Sequence, residues 1–534
     1  MKLRTSILTL LLTFIVIISL SYSFIANPDK NEPINLSTKD KNEEVKYFFD
    51  FIRKSYPFDE AVVKYKGLES IYSKEEEYIK RAGETKSNKE YINLIAEIVQ
   101  MLEQGSGHND IAEAQELPAG TDTSMLCLEN NLSIDAIRLN KYWWELLNIN
   151  KKYSNSDINI YYHNGGYVVS EDIVIGLVTV HKGAKIIKID GLLTDDYIKR
   201  LQNIIWLRFD SEFKKAYSFH PSPFITYGDN AKKDWTVEIQ EANNKSLTCI
   251  VTKRKGFKPV RQYPMYKSNI LCTELSPAVA YLRVFSFPDV SQSETDLKEL
   301  STFFEKSHGK YKKLIIDIRM NSGGSPTYGE AILVKPFLKT SKVYNQYAAV
   351  KKDINNKIVS ETERIDSIRK QDNPNINFGR IEKISFNELP TNIKKFNIDN
   401  KSFDYFRTTI DFAPENTFDF NGDIVLLIDN NSFSAAEDII RIYKELKIGK
   451  IAGSNSTGGA AVIYAPAYFE LPKSHILFEL EFDMAYNSDG TINEIFGTKP
   501  DIELEPSTYP TSFPNDYSKE GLLNDNWIRK IMND

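Results

Sequence analysis

The chain is poor in the residue types on which several chemistries depend. Its 534 residues include three cysteines, six histidines and five tryptophans. Cys127, Cys249 and Cys272 allow at most one bridge and a spare thiol, so no disulfide framework is expected to hold the fold. Each lies in an apolar run (MLCLEN, LTCIV, NILCTEL), which reads as a buried small hydrophobe and not as a nucleophile or metal ligand. No H-x-x-x-H, C-x-x-C or H-E-x-x-H spacing occurs, so no metal or other cofactor is expected. Positive charge is not in excess either: the net charge is −6 with both signs interspersed. That argues against a nucleic-acid partner, because binding phosphates needs a basic surface. No period of solenoid or propeller type repeats along the chain.

What is present points to an exported multidomain protein. The length exceeds what one hydrophobic core organises, so two or three domains are expected. Hydrophobic residues make up 41% and charged residues 26%, as in soluble globular proteins. Lys2 and Arg4 precede an apolar run, Ile7 to Leu20, with no charge until Asp29. This is the pattern of a secretory signal, and Ser21 and Ser23 offer small residues for a cut after Ser23. The uncharged stretch also reaches about bilayer length, which leaves an uncleaved anchor as the alternative for residues 1–26. Either way the body of the protein is expected outside the cytoplasm, periplasmic or at the cell surface. No cysteine lies near this end to carry a lipid.

Three regions follow. Residues 41–150 are dominated by helical periodicity, as in EVKYFFDFIRKSY and NKEYINLIAEIVQMLEQ, the latter ending at Gly105-Ser106-Gly107-His108. Residues 157–265 alternate in short runs, with one helix at TDDYIKRLQNII, and read as a small β-rich unit. From 270 to 510 buried strands alternate with amphipathic helices, the mark of an α/β layer domain. The segment 329–422 is charged, Asn-rich and weakly periodic, and is expected to form a lid or an inserted subdomain.

Ser434 is the first candidate for chemistry. It sits where the strand DIVLLIDN turns into the helix AAEDIIRIYKELK, a geometry that exposes a nucleophile at a helix N-terminus. The N–H of Ala435 would there face a developing oxyanion. By position alone Ser434 could equally be a helix cap. The surrounding motifs decide. Asp317-Ile318-Arg319-Met320-Asn321-Ser322-Gly323-Gly324 resembles the D-x-R-x-N-x-G-G element of S41 peptidases, and Ser434-Ala435-Ala436-Glu437 resembles their S-A-x-E motif. Ile451-Ala452-Gly453 with Ser456-Thr457-Gly458 resembles V-x-G-x-x-T-x-G. Asp489-Gly490, Glu494, Gly497 and Pro500-Asp501 resemble the terminal D-G…E-x-x-G-x-x-P-D element. AVAYLRVFSF resembles the family's Y-x-R-x-x-x-F strand, and KGAKIIKIDGLLTDDYIKRL resembles the ridge of a PDZ-like domain.

The resemblance implies a fold with an N-terminal helical region, a PDZ-like β-rich domain and a ClpP/crotonase-like α/β catalytic domain. It implies a serine peptidase of the tail-specific, C-terminal processing family acting on a polypeptide, with Gly323, Gly324 and Ala435 around an oxyanion hole. One branch of the family places a lysine base directly after T-x-G, where this chain has Gly459. The tricorn-core branch uses a histidine from the N-terminal region, for which Gly105-Ser106-Gly107-His108 is the resembling segment, and a C-terminal glutamate, which Glu494 matches. The implied trio is Ser434, His108 and Glu494, with His108 taking the serine proton. Glu437 and Asp438 read as structural acids in the first turn of a helix, and His308 and His475 as surface or packing residues. The alternative is a catalytically inactive protein on the same scaffold that binds peptides or apolar ligands.

Overall fold

The computed structural model describes residues 33–112, 132–148, 160–175, 178–218, 234–252, 268–354 apart from 308, 379–396, 401–504 apart from 419, 461, 464 and 465, and 516–533, together with Ile158 and Phe224. The signal or anchor expected over residues 1–26, Cys127, His220 and His308 lie outside the described residues. Among the described residues no helix is long and apolar enough to cross a membrane. Cys249 and Cys272 are free thiols.

The N-terminal region is helical because its apolar residues recur on one face and its helices are capped. Ser37 and Asp40 form a capping box at the start of Thr38–Ser55. Ser87 accepts from Glu90 N to open Asn88–Glu103, whose buried Tyr91, Ile95, Ile98 and Leu102 form the inward stripe. That helix ends at Gly105, whose N–H donates to Leu102 O at 3.0 Å. A Cβ on Gly105 would lie 2.3 Å from Tyr56 Oη, so the chain leaves the helix pressed against its neighbour.

The β-rich unit is an antiparallel sheet in the order Ile160–His163, Gly166–Val169, Lys185–Ile189, Asp234–Gln240, Ser246–Thr252, with Leu192–Leu193 paired onto Lys185–Ile189. Its helix is shorter than the sequence pattern suggests, Thr194–Lys199, and the chain continues in turns to Trp206.

The C-terminal region is built on a six-stranded sheet in the order Ile270–Ser276, Val279–Val284, Lys313–Asp317, Asp423–Ile428, Lys450–Gly453, Ile502–Glu503. The first pair is antiparallel and the others are parallel. A parallel sheet must be covered on both faces. The helices Ser293–Ser307 and Ala435–Leu446 bury one face with Leu282, Leu314, Ile316 and Leu426. The helices Lys519–Asn524 and Asn526–Asn533 bury the other with Tyr281, Ile315, Val425 and Leu427. In such sheets ligands bind beyond the carboxyl ends of the strands. The motif segments that follow Asp317, Ile428 and Gly453 all lie there.

The described part of the segment 329–422 is a subdomain and not a hanging lid. Lys342–Lys351, Arg380–Ile384 and Phe403–Phe412 join Asp483–Tyr486 in a four-stranded antiparallel sheet. The insert thereby supports the very segment that follows Glu481. Its core is continuous with that of the helical region and the β-rich unit.

Candidate active site

Ser434 is held by the ends of neighbouring strands. Asp429 Oδ1 accepts from Met320 N (2.8 Å) and Asn431 N (3.0 Å), tying two strand ends together. Phe433 N donates to Asn321 O at 3.2 Å, and Ser434 N to Gly458 O at 3.2 Å. Between these anchors Ser434 takes φ 59°, ψ −130°, a conformation that L side chains rarely adopt and that costs about 1–3 kcal/mol. The turn lifts the side chain off the helix it begins: Ser434 makes no side-chain capping bond. The capping alternative therefore fails.

The Asp317–Arg319 part of the glycine motif is architectural. Asp317 accepts from Arg319 Nη2 (2.6 Å), Arg283 Nη1 (3.1 Å) and Tyr281 Oη (2.8 Å), and these two guanidinium groups outweigh burial in holding its carboxyl below the usual range. Arg319 also reaches Asp525 at 3.1 Å, clasping the C-terminal helices. The glycines behind this clasp approach the nucleophile. A Cβ on Gly323 (φ +96°) would lie 2.7 Å from Ala435 N and 2.9 Å from Ser434 Cβ. The Gly323 N–H is already donated to Asn321 Oδ1 at 2.9 Å. Of the three N–H groups expected around an oxyanion, those of Gly324 and Ala435 are thus the ones without an acceptor among the described residues.

His108 reaches Ser434 across 326 residues of sequence, with Nε2 at 2.9 Å from Ser434 Oγ. A seam brings it there. Ile111 bridges Phe478 antiparallel, Ala112 N donates to Leu477 O (3.0 Å), and Glu479 N donates to Asp110 O (2.8 Å). Asn109 Oδ1 accepts from Glu481 N at 2.6 Å. The β-rich unit clamps the other side of the loop. Gln104 Nε2 donates to Gln202 O (2.7 Å) and Ile205 O (2.8 Å), while its Oε1 accepts from Leu207 N (2.9 Å). Buried Lys66 donates to Gln104 O and Leu207 O, both at 2.6 Å, and burial pushes its ammonium down to about 7. Gly107 has no room for a Cβ, which would lie 2.5 Å from the Trp206 ring.

Phe433 completes the wall, its ring centroid 4.6 Å from that of His108 and 5.6 Å from that of Trp206. It also fills the space beside Gly459, where a Cβ would meet Phe433 Cε2 at 2.3 Å. The place of a lysine base in the other branch is thus occupied by an aromatic ring.

The acid on the imidazole is Glu481 and not Glu494. His108 Nδ1 lies 2.9 Å from Glu481 Oε2. Glu494 sits in the short helix Asn493–Phe496, and its Oε1 accepts from Ala485 N at 3.0 Å without contacting His108. The expectation for Glu494 followed motif spacing, whereas the contact is set by the seam, which places the residue after Leu480 under the His108 ring. In the sequence, Glu479, Glu481 and Asp483 alternate with apolar residues and resemble the wet face of a strand. The packing of the His108 loop covers Glu481. With the ring in the Nδ1–H tautomer, Nδ1 donates to Glu481 and the Ser434 hydroxyl donates to Nε2. Burial pushes His108 down to about 4, so the imidazole is neutral and free to accept a proton at neutral pH. Glu437 is a buried structural acid, accepting from Asn493 Nδ2 at 2.7 Å and from Thr498 Oγ1. His475 is paired with Glu470 at 2.6 Å, away from the site.

No curated protein matches the chain. Among solved structures, mature CPAF complexed with lactacystin shares 13% identity over 88% of this chain and 94% of its own, with a TM-score of 0.48. The photosystem II D1 C-terminal processing protease shares 14% over 91% and 96%, at 0.36. The tricorn protease shares 14% over 87% of this chain and 34% of its own, at 0.30. At these scores the likenesses carry none of the reading. The sequence match is the informative one: residues 278–504 fit the family model of peptidase family S41. That span, 278–504, contains Ser434, the turn that strains it and Glu481, and it is this part of the chain that is similar to the serine peptidases of family S41.

Proposed function

We propose that the protein is an exported processing endopeptidase in which Ser434 is the nucleophile, His108 the base and Glu481 the acid that orients it. The observation that carries this reading is the 2.9 Å contact between His108 Nε2 and the Oγ of a strained, uncapped Ser434. Ser434 Oγ attacks the scissile carbonyl carbon as its proton passes to His108 Nε2. The resulting oxyanion is received by the N–H groups of Ala435 and Gly324. Collapse breaks the C–N bond, and the leaving amine takes the proton from His108. Water then adds to the acyl ester, giving a proton to the same nitrogen, and Ser434 regains it as the acid product departs. The polypeptide runs extended beside the catalytic sheet, and the β-rich unit acts as a PDZ-like module that captures a chain end by strand addition. Residues 1–26 direct the chain out of the cytoplasm.

The binding-protein alternative has no observation in its favour, since a neutral base already faces the serine. The test is labelling with a serine-reactive fluorophosphonate. Wild type should label, and Ser434→Ala and His108→Ala should each lose at least ~10⁴-fold in rate. Labelling that survives His108→Ala would discard His108 as the base. A folded wild type that never labels would overturn the peptidase mechanism.

A further inference from the structure

Behind His108 lies a cluster of carboxyls that cannot all be ionised. Glu481 and Asp483 are both fully buried. They are two residues apart, where the chain passes from the strand Leu477–Leu480 to the strand Asp483–Tyr486. Glu481 Oε2 is taken by His108 Nδ1, and Asp483 Oδ2 accepts from Val462 N (3.1 Å) and Ile463 N (2.8 Å). The two remaining oxygens, Glu481 Oε1 and Asp483 Oδ1, are buried and have no donor. Yet the two carboxyls lie within hydrogen-bonding reach of each other. Two ionised carboxylates offer only acceptors, so such a contact needs a proton.

The surroundings do not relieve the charge. Glu494 approaches from its short helix and Asp438 from the first turn after Ser434, with a buried oxygen of each also lacking a donor. The cation facing the cluster is Arg441, whose Nη2 is donated to Tyr486 O (2.8 Å) and whose Nη1 is 3.9 Å from Asp438. Among the described residues no group of His, Cys, Asp or Glu could hold a metal ion that would compensate.

We propose that Glu481 and Asp483 share a single proton, which makes Asp483 a positioning residue that stores the negative charge of the site and holds Glu481 on His108. In the resting site the proton is on Glu481 Oε1 and the charge on Asp483, where two backbone N–H groups stabilise it. Burial, and after it the Asp483 charge, hold the Glu481 carboxyl well above its usual range, in keeping with this placement. When His108 takes the Ser434 proton, the shared proton moves from Glu481 Oε1 to Asp483 Oδ1. The charge then sits on Glu481, against the new imidazolium. One proton moves, and the pair keeps a charge of minus one throughout.

This reading rests on His108 being the base, and the experiment separates the two. Fluorophosphonate labelling rates of Glu481→Gln, Asp483→Asn and the double variant are compared, with melting curves to establish folding. An amide at 483 imitates the protonated Asp483 and leaves the charge on Glu481, so Asp483→Asn should keep its rate within about tenfold of wild type. Glu481→Gln leaves the charge only on Asp483, farther from the imidazolium, and should lose ~10²-fold. The double variant carries no charge and should fall by ~10³-fold or more. A Glu481→Gln variant that alone takes the full ~10⁴-fold loss of a triad acid, with Asp483→Asn adding nothing, would overturn the shared proton. The alkaline side of the pH–rate profile is the second readout. Wild type should show an ionisation, the pair losing its last proton, that both single variants lack; its persistence in them overturns the proposal even if the double variant does not fold. If wild type does not label at all, the mechanism above fails on its own. The pair is then read by the infrared C=O band of protonated carboxyls at neutral pH: a loss of intensity in Asp483→Asn supports the pair, and an unchanged band there overturns it.

Discussion

Ser434 is held by the neighbouring strand ends of one sheet, its own N–H on Gly458 O and that of Phe433 on Asn321 O, whereas His108 is held by three separate regions. Its helix comes from the N-terminal region, its clamp from Gln104 and Lys66 against the β-rich unit, and its seam from residues 477–481. The strain on the nucleophile is a property of a short turn and survives as long as the sheet does. The position of the base is a property of the assembly. Catalytic competence should therefore report on how the regions are docked, while the shape of the serine turn should not.

The comparison can be broken first at the nucleophile. Gly323→Ala would place a methyl group 2.7 Å from Ala435 N, in the space an oxyanion needs. The expected loss in kcat is ~10²–10³-fold with little change in KM, measured on a peptide substrate. An equal loss confined to KM would mean that Gly323 lines the substrate path instead. The histidine half is tested by Trp206→Ala, which removes the ring that packs on Gly107 and Phe433. Labelling of Ser434 should slow by about tenfold, and Trp206→Phe should restore most of it. An unchanged rate would show that the β-rich unit does not support the base.

A pH profile sharpens the same contrast. Because burial holds His108 near 4, activity at roughly pH 5.5 should remain close to its neutral value, whereas an exposed imidazole would be mostly protonated there. The smallest effect concerns the clamp. Lys66 titrates at about 7 in the folded chain against an ordinary value of 10.5. Between those values the unfolded chain keeps a proton that the folded chain has shed, so stability should rise with pH across that window, by at most about 1.4 kcal/mol per pH unit. Urea midpoints of wild type and Lys66→Met at both ends of the window check this, the variant losing that rise.

The same division governs what could be read in the sequence. The serine turn, the two glycines and the order of the buried strands are local patterns, and a strand–turn–helix with S-A-x-E shows its geometry in consecutive residues. His108 was legible only through a family motif, since a lone histidine after a glycine-broken helix has no chemistry of its own. Glu481 was not legible, because an acid in an alternating strand reads as solvent-facing until something packs over it. The seam that buries it joins residues far apart in the chain, and no periodicity encodes such a contact. For the insert the sequence left a lid and a subdomain open, because its strands find their partner in Asp483–Tyr486, well beyond the segment's own end.

The seam also sets the order of events at birth. His108 and Glu481 are 373 residues apart, and the ribosome delivers them in that order. A nascent chain that has completed its helical region and its β-rich unit still holds a base with nothing to act on. When Ser434 emerges, residues 477–481 are still to come, and without them the His108 loop has no edge to pair with. In the proposed mechanism, cutting power is switched on by the closure of one very long loop, a slow, late step in a fold of such separated contacts. Until then the serine and the histidine of the proposed mechanism are carried apart on the same polypeptide.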